Sequence, residues 1–130
     1  RPWSAPFARA HRGLFVVVEA APLTLRDLLG GAEFVVEELD AGLRDAMAVS
    51  SAPFDGLLVA HPPPEARVGL LPGAVFHPES AAQAIGQVVA EAKKRGTQRD
   101  ALLDALLRME RSLRSLSRVK ASFCYRVEAL

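Results

Sequence analysis

Three histidines are the side chains of this chain best suited to acid–base or metal chemistry. His61 and His77 each follow an apolar run and precede a proline, while His11 lies close to the start. Neither cysteine nor aspartate stands near them at the spacing of a metal site, which argues against a metal centre. We interpret them as exposed loop residues, and keep as an alternative a small ligand-binding or enzyme site at the strand ends around Glu19, His61 and His77.

Nucleophile and phosphate-binding motifs are missing from the sequence. The serines Ser50, Ser51 and Ser80 lack the elbow motif of serine hydrolases. No glycine cluster is followed by the Lys and Ser/Thr of a phosphate-binding loop. Cys124 is a solitary thiol in a heptad-patterned segment, where a packing role is the ordinary one. The sequence therefore predicts a protein that is not an enzyme and that uses no cofactor or metal.

An arginine stripe is the other chemical feature. Its members, three and four residues apart, would share one side of a helix; they are Arg108, Arg111, Arg114 and Arg118. Three interpretations are open: a solvated outer face, a surface that docks an acidic protein, and a nucleic-acid surface. No aromatic or amide side chains lie among the arginines, which disfavours nucleic acid.

The stripe belongs to a segment, 97–130, that contains neither proline nor glycine. Apolar residues recur there at alternating spacings of four and three, the heptad pattern of coiled coils. We predict a long amphipathic helix whose apolar seam forms an interface, between copies of the chain or against its own or a partner's domain. The interface residues are Leu102, Leu106, Met109, Leu113, Leu116, Phe123 and Val127, with Lys120 and Leu130 in the same register.

Before this segment, short apolar runs alternate with helix-like stretches. The runs LFVVVEA, AEFVVEEL and FDGLLVAH indicate strands, the first and third buried on both faces. Between them, TLRDLLGG predicts a short helix and 40–51 a second one. Residues 74–76 are a further strand candidate and 79–94 a further helix. This alternation predicts an α/β fold with a small, mostly parallel sheet flanked by helices.

The order of these segments over 13–96 resembles a response-regulator receiver domain. The resemblance rests on VVVEAAP, TLRDLL, FVVEELDAGLRDAM, FDGLLVAH and AVFHPESAAQAIGQVVAEA. It implies a receiver or flavodoxin-like fold, truncated between His61 and Ala74. A receiver needs an aspartate that accepts a phosphoryl group, acids that hold Mg²⁺, and a lysine. The positions of the aspartate and the lysine hold Ala60 and His77, so the chain resembles the pseudo-receivers, which signal by binding.

The predicted organisation is an N-terminal arm (1–12), a pseudo-receiver-like domain (13–96) and the C-terminal helix (97–130). Charge is uneven, with six Lys/Arg against eleven Asp/Glu in 1–92 and ten against four in 93–130. We predict a signalling or scaffold module that binds a protein partner, and forms a homo-oligomer, through the C-terminal helix. The second hypothesis is a nucleic-acid-associated regulator that uses the arginine stripe.

The sequence also suggests where the chain works. Its longest apolar run is far shorter than the about 20 residues that span a bilayer, so we predict no membrane partner. A single cysteine cannot form an internal disulfide. We therefore expect an intracellular protein, cytoplasmic or, in a eukaryote, nuclear.

Overall fold

The computed structural model describes residues 10–37, 39, 41–60, 68–116 and 118–130. Contacts divide the chain into two compact units, Arg1–Val75 and Phe76–Leu130. We call them the sheet unit and the helical unit and describe each by itself. The predicted domain boundaries at residues 12 and 96 stay a prediction. Most of the predicted arm lies outside the described residues, as do His61 and the prolines that follow it.

The sheet unit is built on an antiparallel sheet. Its strands follow the order β3-β2-β1-β4-β5, and β6 pairs with β4 off this path. The central strand, β1, pairs with β2 on one side and with β4 on the other, both antiparallel. The bounds are β1 (Ala10–Ala20), β2 (Leu23–Asp27), β3 (Glu33–Val35), β4 (Phe54–Ala60), β5 (Val68–Leu70) and β6 (Val75–Phe76).

The sheet is strongly curled and forms a half-barrel. A register shift between Val17 and Glu19 marks a bulge in β1, and bulges increase the local twist of a strand. Just beyond β3, the Glu37 N–H donates a 2.9 Å hydrogen bond to the Val68 carbonyl of β5. The two ends of the strand order therefore meet at one point.

The predicted parallel, receiver-like or flavodoxin-like sheet is wrong. Parallel neighbours need a crossover of about a dozen residues or more, but only Ala21 and Pro22 connect β1 to β2. A connection of that length makes a hairpin, and the strands run antiparallel. The resemblance to receivers fails with the sheet, and so does the comparison of Ala60 and His77 with the positions of a receiver's aspartate and lysine.

The error begins at Leu23–Asp27, which was predicted to be helical and forms β2. The helix prediction used the spacing of Leu25, Leu28 and Leu29, but one helical turn has little stability of its own. In the sheet, the backbone of β2 is hydrogen-bonded to β1 on one side and to β3 on the other. These two ladders outweigh the local helical preference.

Aromatic and branched side chains fill the core of the sheet unit. Phe15 of β1 and Phe54 of β4 are fully buried, with ring centroids 5.8 Å apart. Leu14 and Leu25 are buried with them. Helix α1 (Ala41–Val49), which confirms the helix predicted at 40–51, contributes the buried Met47.

The helical unit begins with a 3-10 turn at Glu79–Ala81 that leads into α2 (Ala82–Arg95). This confirms the helix predicted at 79–94. Gly96, at φ 69°, ends α2, and its N–H binds the carbonyls of Ala92 and Lys93, a left-handed cap that suits glycine. Helix α3 (Arg99–Ser115) follows, then α4 (Ala121–Cys124) and a 3-10 turn at Val127–Ala129. The core includes Ile85, Val88, Leu103 and Leu106.

The predicted continuous helix over 97–130 is wrong, because α3 ends at Ser115. Ser115 Oγ donates a 2.8 Å hydrogen bond to the Ser112 carbonyl, and serines that bond the local backbone weaken a helix. Leu116 is extended, and Arg118 has a positive φ of 63°. The chain leaves the helix axis here, so the coiled-coil-like seam is not carried by one helix.

Within the part of the chain that the structure describes, we find no helix both long enough and apolar enough to cross a membrane.

Candidate functional site

An exposed cleft lies beside the last turns of α3. Its volume is about 190 Å³, and we call it the C-terminal cleft. Leu116 and Phe123 stand out in it, because 45% and 54% of their surfaces are exposed to solvent. The residues that line it include Arg108, Met109, Ser112, Leu116, Phe123 and Arg126.

The cleft forms because the chain turns after α3 and is held by a buried contact. Tyr125, which directly follows α4, is 2% exposed, and its hydroxyl lies 2.6 Å from Nδ1 of the buried His77. The two rings meet edge to face, with centroids 5.5 Å apart. This contact fixes the neighbouring Phe123 and Arg126, which stay at the surface.

Burial is the largest cause that raises the pKa of the Tyr125 phenol far above its ordinary value. Coulombic repulsion from Glu110 adds to the rise, and Cys124 contributes further. Glu110 is itself 9% exposed and forms a 3.0 Å ion pair with Arg114. The phenol therefore keeps its proton to a higher pH than an exposed tyrosine does.

The cleft is apolar at its centre and basic at its rim. The Arg126 guanidinium lies 5.4 Å from the centroid of the Phe123 ring, a cation–π contact. Arg108, on α3, lines the same cleft and is exposed. Among the described lining residues none is acidic. The arrangement can therefore accept an apolar side chain flanked by carboxylates.

The structure separates the predicted interface residues into three groups. The first group, Leu102, Leu106 and Met109, is buried in the helical unit. In the second, Leu116 and Phe123 are exposed, and both line the C-terminal cleft. The remaining two, Leu113 and Val127, are half-buried. The surface left for a partner is the end of the predicted seam rather than its whole length.

Three of the four arginines of the predicted stripe lie on α3, and the fourth does not. Arg108, Arg111 and Arg114 are exposed on the helix. Arg114 pairs with Glu110, so part of its charge is compensated within one turn. Arg118 lies beyond the end of α3.

Two residues of this region, Tyr125 and Arg126, were not found from the sequence, and His77 was given a different role. His77 was predicted to be an exposed loop residue and is 1% exposed. Tyr125 and Arg126 fall outside the heptad register, which is the reason they were left out. The available signal was the cluster FCYR, two aromatic residues and an arginine within four positions, a composition typical of interfaces.

A histidine–carboxylate pair lies in the sheet unit. His11 Nε2 on β1 is 3.0 Å from Oδ2 of the buried Asp27 on β2. The other oxygen of Asp27 accepts the Leu29 N–H at 3.0 Å and so closes the turn after β2. Both contacts fix the hairpin, and the pair is explained by the fold.

The alternative site around Glu19, His61 and His77 depended on parallel strands that end at one edge, and this sheet has none. Glu19 is an exposed residue of β1, and His61 lies outside the described residues. Over the described ranges, no group of three His, Cys, Asp or Glu side chains is placed to hold a metal ion.

A larger open groove of about 650 Å³ runs along α2 and the start of α4. Its polar side chains, Ser80, Gln83, Gln87, Lys120 and Ser122, are all exposed. Water solvates side chains of this kind, and the apolar lining of the groove consists of Val119 and two alanines, whereas ligand sites are lined mainly by large apolar and aromatic side chains.

We compared the chain with protein-family models, curated proteins and solved structures, and none of the three comparisons found a match.

Proposed function

We propose that this chain is a non-catalytic scaffold or signalling module that binds protein, including further copies of itself, through the C-terminal cleft. One observation carries the proposal: Leu116 and Phe123 are exposed in a cleft that Arg108 and Arg126 also line. Aromatic residues and arginine are the side chains most enriched at protein interfaces and among their energetic hot spots.

The size of the cleft sets the kind of contact that it supports. Full burial of a Leu or Phe side chain contributes about 1.5–3 kcal/mol, and about half of Leu116 and of Phe123 is exposed. Covering them would contribute roughly 1 kcal/mol each, whereas micromolar binding needs about 8 kcal/mol. The cleft is therefore proposed as the centre of a larger contact whose rim is charged.

Nucleic-acid binding has weaker support. The interrupted stripe and the Arg114–Glu110 pair reduce the continuous positive charge that a phosphate backbone requires. The cleft also combines its arginines with apolar side chains, which fits a protein surface better than a phosphate backbone.

The proposal is tested by the variant Phe123→Asp, which places a carboxylate in the apolar centre of the cleft. We expect wild-type chain to associate with rising concentration and the variant to remain at the monomer mass of 14.0 kDa by light scattering. The matched control is Ser122→Asp, which introduces the same charge one residue away, on a residue that lines the polar groove instead. Wild-type and Phe123→Asp chains of equal mass at every concentration would overturn the proposal.

A further inference from the structure

The sheet unit carries an acidic stripe whose charge and apolar character complement those of the C-terminal cleft. In and just after β3, exposed and inward residues alternate: Glu33, Val35 and Glu37 are exposed, while Val36 is buried. Residues two apart on a strand lie on one face, about 7 Å apart. The stripe is therefore an apolar side chain, Val35, between two carboxylates. Val35 is 47% exposed and is therefore available for contact.

The two surfaces match in pattern and in sign. The cleft offers an apolar centre with Arg108 and Arg126 at its rim. The stripe offers an apolar centre with Glu33 and Glu37 on either side. Glu33 already pairs with Arg26 at 2.7 Å, whereas Glu37 forms no ion pair among the described residues, so its carboxylate supplies most of the charge of the stripe.

We infer that the occupant of the C-terminal cleft is the β3 stripe of a second copy of this chain. The inference rests on the proposed function, because it names the partner of the same cleft. Each copy carries one cleft and one β3 stripe, so the two surfaces are always present at equal concentration. Charge supports this partner: the sheet unit has six basic and nine acidic residues, a net charge of −3, and the helical unit has ten and six, a net charge of +4.

The contact joins two different surfaces of the chain. Reciprocal docking closes a dimer, and one-way docking builds larger rings or open chains. Either result raises the mass above that of the monomer.

The test uses two charge-reversed full-length chains, Arg108→Glu/Arg126→Glu and Glu33→Lys/Glu37→Lys. Alone, each variant places like charges face to face, and we expect its self-association to weaken by roughly a hundredfold. Mixed at equal concentration, the two variants restore opposite charges at every contact. Light scattering should then show the mass of the wild-type assembly again.

The control mixture is Arg111→Glu with Asp45→Lys, exposed charges on α3 and α1 that belong to neither surface. These chains should associate as wild type does, alone and mixed. Glu37→Lys alone replaces the double stripe variant if circular dichroism shows that the double variant is unfolded.

The outcomes separate this inference from the proposed function. If the cleft variant is monomeric but the stripe variant assembles as wild type does, another surface occupies the cleft: the inference fails and the proposed function stands. A mixture that stays monomeric while wild type assembles also overturns the inference. A wild-type chain that is monomeric at every concentration overturns both.

Discussion

Tyr125 and His77 connect the end of the chain to the core of the helical unit. Their hydrogen bond of 2.6 Å joins residues 48 positions apart, and both side chains are buried. A buried hydroxyl that lost its partner would cost about 1–3 kcal/mol. The hydrogen bond thus lets Tyr125 be buried without an unsatisfied hydroxyl.

The raised pKa of Tyr125 predicts a loss of stability in alkali. As pH rises above the ordinary tyrosine pKa of about 10, the unfolded chain releases the phenolic proton while the folded chain keeps it. The contribution is thus fully present below about pH 10, and above it the free energy of unfolding falls by up to about 1.4 kcal/mol per pH unit. Urea unfolding at several alkaline pH values measures this slope, and Tyr125→Phe should remove it.

The single tyrosine of the chain provides a second readout. Tyrosinate absorbance of the folded protein reports Tyr125 alone, and it should appear at higher pH than in urea-unfolded chain. Equal titration midpoints in the two states would contradict the burial of this phenol.

Two glycines lie in different elements and have opposite surroundings. Gly86 is in the interior of α2, and a Cβ added there would meet no atom within 4 Å. At Gly56, on β4, the added Cβ would lie 3.1 Å from the Phe54 ring and 3.2 Å from a Leu70 methyl. Phe54 and Leu70 are both buried, so neither has room to move.

Alanine substitution at these glycines should therefore have opposite effects. Gly86→Ala should raise the free energy of unfolding by about 0.5–1 kcal/mol, because alanine loses less backbone entropy in a helix. Gly56→Ala should lower it by about 1–3 kcal/mol through overpacking. Denaturant unfolding measures both, and each variant is the other's control. A stabilised Gly56→Ala chain would mean that the β4–β5 contact is looser than described.

The elements also show which local patterns predict structure. The helix at 79–94 and the strand FDGLLVAH were predicted correctly as α2 and β4. Helix α2 is long, periodic and followed by glycine, and β4 is a compact apolar run. By contrast, TLRDLL is so short that its apolar spacing fits either one turn of helix or a five-residue strand. Only pairing with the neighbouring strands decides which of the two forms.

Across the whole molecule, charge is divided between the two units. The sheet unit is acidic and the helical unit is basic, although the chain as a whole carries only +1. This division favours a contact between the acidic surface of one copy and the basic surface of another. Salt would screen the attraction between them.

Association through the C-terminal cleft should therefore weaken with ionic strength. Raising the salt concentration from about 0.05 M to 0.5 M shortens the Debye length several-fold, and we expect the dissociation constant to rise roughly tenfold. Sedimentation or light scattering across the series measures it. Association that is unchanged by salt would indicate an apolar contact without the charged rim.

The sequence by itself determined features that depend on nearby residues. These are the helices α1 and α2 and the strand β4. Each follows from periodicity, capping or composition within a few turns of chain.

Only the tertiary structure decided the direction of the strands, the end of α3 and the burial of His77 and Tyr125. A buried apolar strand has the same composition beside a parallel or an antiparallel neighbour, so its direction depends on which distant strand it pairs with. In the same way, the heptad pattern continues past Ser115 in the sequence, although helix α3 ends there. Beyond this point, a hydrogen bond between His77 and Tyr125 helps to bury the tyrosine, and no local pattern encodes a contact across 48 positions.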